Sequence, residues 1–256
     1  MAESQVNLTS LELGLFSEIE FEISHKCNMA CSYCPNSQYE RIEQGEMSLE
    51  LFEKVMKELK EAGFSGRVSY HFYNEPMLSK NLDKFIELTT RYLPNSSPYL
   101  FSNGTLLTKK RFDELKSLGV KKFHITKHED VKTNYVFDKT YEEISPEDKA
   151  ELVYFEDYTQ VELSNRQGLL SHIAPVEKSW LPCFIPLRLV VITLEGNVLP
   201  CYDDYLQKLE MGNVNENSII EIWNSDKYKT FREDLRQKKG REKYKTCKGC
   251  SNFKIN

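Results

Sequence analysis

Seven cysteines carry the chemistry legible in this 256-residue chain, and they fall into two groups. Cys27, Cys31 and Cys34 share one short stretch, while Cys183, Cys201, Cys247 and Cys250 are spread towards the C-terminus. The N-terminus, MAESQVNLTSLELGLFSEIEF, has no basic segment followed by an apolar one. It does not read as a signal peptide, so the reducing cytoplasm is the expected compartment. There, such spacings point to metal ligation and not to disulfides. Structural zinc at the first group needs a fourth ligand, for which His25 is available. A [4Fe–4S] cluster on the same three thiolates keeps one iron open, useful only if another group binds there. The second group, C-x17-C-x45-C-x2-C, suits either a four-cysteine zinc site or a second cluster. Four cysteines would close every iron of that cluster and leave it electron transfer.

The elements around these cysteines alternate. Ile19, Phe21 and Ile23 interleave with Glu20 and Glu22, which predicts a strand directly before the first group. Leu51, Phe52, Val55, Met56 and Leu59 recur at helical spacing, with Ser48 placed to cap and Gly63 to stop. Further strands are expected at Val68–Phe72, Tyr99–Ser102 and Lys122–Thr126, with helices at Asn81–Tyr92 and from Thr108 to Gly119. Residues 129–150 give a poor helical pattern; Leu152–Phe155 and Val161–Leu163 read as short strands. Leu187–Thr193 and Val198–Tyr202 form a hairpin around Glu195-Gly196-Asn197. Helices at Ile219–Trp223 and Asp226–Arg236 precede a polar tail, in which Lys238, Lys239, Arg241, Lys243 and Lys245 read as a solvated run or an electron-carrier docking patch. Alternating strands and helices predict a parallel sheet, with ligands beyond the carboxyl ends of its strands. The first cysteines, the turn Tyr73-Asn74-Glu75-Pro76, and Ser102-Asn103-Gly104 all fall at that edge.

A net charge of −5 offers no basic face for nucleic acid. The longest apolar stretch, Leu187–Leu194, is interrupted by Arg188 and falls well short of the ~20 residues of a membrane span.

C-x3-C-x-Tyr-C after a first strand, with Glu75-Pro76 after a second, resembles the radical S-adenosylmethionine (SAM) superfamily. The resemblance implies an α/β fold: a partial (β/α)6 TIM-like barrel over residues 1–170, then a small β-hairpin-plus-helix auxiliary-cluster ("twitch") domain over 171–256. It implies SAM and two [4Fe–4S] clusters, the first on Cys27, Cys31 and Cys34, the second on Cys183, Cys201, Cys247 and Cys250. It places Tyr33 beside the adenine and Asn74, Glu75, Ser102, Asn103 and Lys127 around SAM, with Asn74 and Tyr73 replacing glycines.

Within the superfamily the chain is most similar to dehydrogenases that oxidise an aminocyclitol alcohol to a ketone in antibiotic biosynthesis. Cys-Pro-Asn-Ser (34–37), Gly-Glu-Met (45–47), His-Phe-Tyr (71–73), Ser-Asn-Arg (164–166), Gly-Asn-Val-Leu-Pro-Cys (196–201) and Met-Gly-Asn (211–213) carry that likeness. It assigns Tyr73 and Arg166 to the substrate and Asp203 to the place of a glutamate near the second cluster. Phe101 replaces a tyrosine and Lys127 a glutamine. The implied reaction uses a flavodoxin- or ferredoxin-type donor, a 5′-deoxyadenosyl radical, and the second cluster as electron acceptor. Arg166 is always protonated, so its expected role is hydrogen bonding; Asp203 is the better base. His124, on a strand, reads as a satisfied core histidine. Competing expectations are a radical SAM peptide maturase, a sugar epimerase or dehydratase, and a zinc-stabilised binding module. With seven cysteines spent as three plus four, no thiol remains to quench a radical, which favours oxidation over epimerisation.

Overall fold

The computed structural model describes residues 14–129, 131, 134–176 and 180–252. The segment read for a signal peptide lies largely outside them. Eight strands form one sheet: β1 (Glu18–Phe21), β2 (Arg67–Ser69), β3 (Ser97–Ser102), β4 (Lys122–Lys127), β5 (Val153–Asp157), β6 (Leu189–Ile192), β7 (Asn197–Leu199) and β8 (Gly212–Asn213). The spatial order is β5-β4-β3-β2-β1-β6-β7-β8. The strands from β5 to β6 pair in parallel, and β7 and β8 continue the sheet antiparallel.

The parallel strands are crossed over by α1 (Leu49–Glu61), α2 (Leu82–Tyr92), α3 (Lys109–Leu118), and the pair α4 (Val136–Glu143) and α5 (Pro146–Leu152). In α1, Leu51, Phe52, Val55, Met56 and Leu59 form one buried face, and Phe52 packs on Phe21 of β1 at 4.6 Å. Truncating such a core phenylalanine to alanine costs about 3–5 kcal/mol. Ser48 and Thr108 cap α1 and α3 through their hydroxyls, as their positions predict. Gly119 ends α3 at φ 110°, a conformation that favours glycine.

The connection from β5 to β6 contains no α-helix among the described residues, and β6 returns to the far side of β1. The hairpin strand β6 is therefore the sixth parallel strand, and the sheet runs unbroken into the C-terminal region. There α6 (Ile219–Asn224), α7 (Asp226–Leu235) and α8 (Lys245–Lys248) follow.

The structure departs from the sequence reading at three points and adds one strand to it. Val161–Leu163 is not a strand: Tyr158–Gln160 forms a 3-10 turn capped by Asp157, and the sheet ends at β5. The poorly patterned 129–150 region holds α4 and α5, each too short to show a clear period; Ser145 caps α5 and Pro146 opens it. The short strand β8 carried no periodic signal. In the tail, Arg241 is buried, not solvated.

Candidate active site

The first cysteine loop leaves β1 and is fastened at several points. Lys26 O accepts the Glu75 amide at 2.8 Å, and Ser32 donates its amide and hydroxyl to the Glu129 carboxylate. Asn28 binds Thr105 Oγ1 at 2.8 Å and accepts from Asn103 Nδ2 at 2.9 Å. Cys27, Cys31 and Cys34 are free thiols. Burial, then the neighbouring Cys34 and Cys27, push Cys31 up to about 12. Burial also raises Cys34, against the Asn36 amide and the Arg166 and Arg41 guanidiniums, which favour its thiolate. The Met29 amide and the Asn103 side chain do the same for Cys27. Three clustered thiols with amide donors aimed at sulfur fit an iron–sulfur cluster, whose iron replaces the protons. His25 does not join them: its Nδ1 accepts the Gly45 amide at 2.8 Å.

Beside this loop stands a buried acid. Glu75 is 2% exposed, and its carboxylate accepts from the Asn103 amide (2.8 Å), Ser102 Oγ (2.9 Å) and the Met77 amide (3.2 Å). Burial nevertheless pushes it up to about 7. Asn74 is spent on its own turn, accepting from the Phe72 amide at 2.6 Å and donating to Tyr70 O. Tyr33 meets His128 Nδ1 at 2.6 Å through its hydroxyl and stacks on Tyr158 at 5.8 Å. Lys127 pairs with Asp138 at 2.7 Å and lies over Tyr135, which donates to Asn103 O at 2.7 Å. Its ammonium thus touches the Glu75 cradle only at one remove. Glu129 and Tyr158 carried no sequence signal, because each reaches the cysteine loop from a segment distant in the chain.

Tyr73, Arg166 and Asp203 come together. Arg166 Nη1 lies 2.8 Å from Asp203 Oδ1, and its guanidinium sits over the Tyr73 ring at 5.4 Å. Asp203 is fully buried; Oδ1 also accepts from Ser164 Oγ (3.0 Å) and Oδ2 from Asn252 Nδ2 (2.8 Å). Tyr73 and Arg166 both adopt positive φ, 61° and 49°, a conformation that costs about 1–2 kcal/mol per residue. Arg41, unremarked in the sequence, buttresses this turn by bridging the Glu22 carboxylate and Phe72 O. Burial opposes the Arg166 charge, yet Tyr73 and Asp203 hold its guanidinium protonated, so it cannot serve as a base. Phe101 stacks between His71 (4.3 Å) and His124 (4.9 Å), and His124 is satisfied by Glu156 at 2.8 Å.

Cys183, Cys201, Cys247 and Cys250 line one space of about 320 Å³ that opens partly to solvent, together with Asp203, Arg241 and Asn252. Burial raises all four cysteines, with Asp203 adding to it at Cys183, Cys201 and Cys250 and Asp204 at Cys247; Cys247 and Cys250 reach about 12. The amides of Asp203 and Asn252 point at Cys201 Sγ and Cys250 Sγ, each at 3.3 Å. Four converging thiols with N–H donors on sulfur fit a fully ligated cluster.

Comparison with known proteins matches this layout. Residues 21–129 match the Radical SAM superfamily, and residues 183–251 match SPASM, an iron-sulfur cluster-binding domain. The chain is 43% identical over 241 residues, 94% of its length and 95% of the relative's, to the S-adenosyl-L-methionine-dependent 2-deoxy-scyllo-inosamine dehydrogenase of Niallia circulans. The chain belongs to the radical SAM superfamily. SAM and two [4Fe–4S] clusters are the cofactors that its two domains imply. Among solved structures, BtrN in complex with AdoMet and 2-DOIA superposes with a TM-score of 0.87 at 43% identity, covering 93% of this chain and 94% of that one. BtrN in an open conformation gives 0.74 at 37% identity, covering 93% of each. The structure of anSMEcpe with bound AdoMet, at 16% identity and a TM-score of 0.52, covering 91% and 88%, shares the fold alone.

Proposed function

We propose that this chain is a radical SAM dehydrogenase that oxidises a secondary alcohol of an aminocyclitol, or a closely similar polyol, to a ketone. One observation carries the reading: the Tyr73–Arg166–Asp203 group spans the space between the two sets of cysteines. Arg166 favours the Cys34 thiolate at one end, and the Asp203 amide reaches Cys201 Sγ at the other. The catalytic barrel is residues 1–170 together with its sixth strand β6, and the cluster-bearing extension is the remainder of residues 171–256.

When bound, SAM and the first cluster supply a 5′-deoxyadenosyl radical, and the second cluster takes up an electron. Cys27, Cys31 and Cys34 hold the first cluster; Cys183, Cys201, Cys247 and Cys250 hold the second. Glu75, ionised and fixed by Ser102 and Asn103, receives the SAM ammonium, while Asn74 holds the turn and Lys127 supports the cradle through Tyr135. Tyr33, backed by Tyr158 and His128, offers an aromatic wall to the adenine. Arg166 and Tyr73 bind the substrate hydroxyl and orient its carbinol carbon. As the carbon loses its hydrogen, the hydroxyl proton passes to the Asp203 carboxylate at Oδ1, the oxygen that faces Arg166. A flavodoxin- or ferredoxin-type protein in the cytoplasm serves as electron carrier.

The test is anaerobic incubation of reconstituted protein with SAM, reductant and a panel of aminocyclitols and sugar alcohols. A ketone product supports the reading. A product isomeric with the substrate replaces it with epimerisation.

A further inference from the structure

Arg241 lies in the tail that composition marks as solvated, yet it is 1% exposed. It lines the same space as Cys183, Cys201, Cys247 and Cys250 and donates through Nη2 to Cys250 O at 2.9 Å. The tail is clamped to put it there. A Cβ on Gly240 would stand 1.7 Å from Asp234 O, so only glycine lets the backbone press against the end of α7. Lys239 N donates to Trp180 O at 2.8 Å, and Tyr244 binds Asp234 at 2.9 Å while packing on Phe231 at 4.6 Å. Asp203, a buried acid lining the same space, already faces Arg166 at 2.8 Å. Arg241 therefore places a buried guanidinium on the wall of the space that the four cysteines share.

We propose that Arg241 sets the potential of the second cluster, its buried guanidinium favouring the reduced state and making that cluster the acceptor of the substrate's second electron. The inference rests on the proposed dehydrogenase reading. The electron balance is complete. The hydroxyalkyl radical left on the carbinol carbon becomes the ketone by losing its hydroxyl proton, to Asp203, and one electron, to the cluster. That electron then leaves to a one-electron carrier of the flavodoxin or ferredoxin class. Reduction adds one negative charge inside a poorly screened site. A fixed cation there stabilises the reduced form more than it would in water.

The experiment is an EPR-monitored redox titration of the reconstituted full chain and of Arg241→Gln and Arg241→Lys. Added SAM perturbs the first cluster's signal and so identifies the second. Gln keeps a donor for Cys250 O without the charge; Lys keeps the charge without the planar fork. The expected result is at least a tenfold fall in the reduced-to-oxidised ratio for Arg241→Gln at fixed potential, about 59 mV for one electron. Arg241→Lys stays near the parent. Equal potentials in all three proteins, or loss of the second cluster from both variants, overturn the proposal and leave Arg241 a structural strut. If only Arg241→Gln loses the cluster, Arg241→Met, neutral and of similar reach, takes its place in the titration: the same tenfold fall supports the proposal, and a potential equal to the parent's overturns it. Failure of the dehydrogenase reading looks different: it removes ketone formation while leaving these potentials ordered by charge.

Discussion

Arg166 and Asp203 form an ion pair of 2.8 Å in which the aspartate side chain has no solvent contact and the arginine keeps 22% exposure. The pair thus has one end sealed against the second cysteine group and one end open to a ligand. Asp203→Asn preserves shape but removes the proton acceptor, so ketone formation falls by about 100-fold or more. Iron content and SAM cleavage persist, which parallel assays of 5′-deoxyadenosine and ketone will show. Asp203→Ala strands the Arg166 charge and costs about 3–5 kcal/mol of stability in denaturant unfolding.

Glu75 gives a pH dependence of defined sign. Burial raises it from 4.5 to about 7, so the free protein holds the proton more tightly than the unfolded chain does. The stability contributed by that protonated carboxyl is complete below about pH 4.5 and is lost as the pH climbs through about 7. The SAM ammonium needs the carboxylate, so binding releases this proton. SAM affinity should rise as the pH passes through about 7 and level off above, with Glu75→Gln weaker and flat across the range. Calorimetry in buffers of different ionisation enthalpy measures the released proton.

Removing cysteines should separate the two halves of the reaction. Cys31→Ala abolishes SAM cleavage altogether. Cys247→Ala with Cys250→Ala lowers iron from roughly eight to roughly four per chain yet retains SAM cleavage, now without ketone. Metal analysis and product assays on the same samples read both effects.

Phe101 stacks on His71 and His124, at a position where the resemblance implies a tyrosine. Phe101→Tyr returns a hydroxyl to this polar layer. Because sites built to bind a hydroxyl discriminate strongly for it, we expect kcat/KM for 2-deoxy-scyllo-inosamine to change by about tenfold relative to other polyols. Competition between paired substrates measures the ratio directly.

The first half of the barrel was legible because α1, α2 and α3 each bury one periodic face and are bounded by recognisable residues. The cysteine ligands were legible because spacing alone groups them. Glu129, Arg41 and Tyr158 were not: each acts on a loop far away in the chain, Glu129 on Ser32 at a separation of 97 residues. The burial of Arg241 is hidden in the sequence, since a run of alternating cations looks solvated until Gly240 folds one of them inward. Val161–Leu163 alternates like a strand, but the capped turn after Asp157 ends the pairing before the chain reaches it.

The central claim is hydrogen abstraction from a carbinol carbon followed by oxidation. The most direct measurement is anaerobic turnover of an aminocyclitol deuterated at that carbon. The account predicts one ketone for each 5′-deoxyadenosine, with each 5′-deoxyadenosine carrying one deuterium. Unlabelled 5′-deoxyadenosine, or labelled 5′-deoxyadenosine with no ketone, would contradict it.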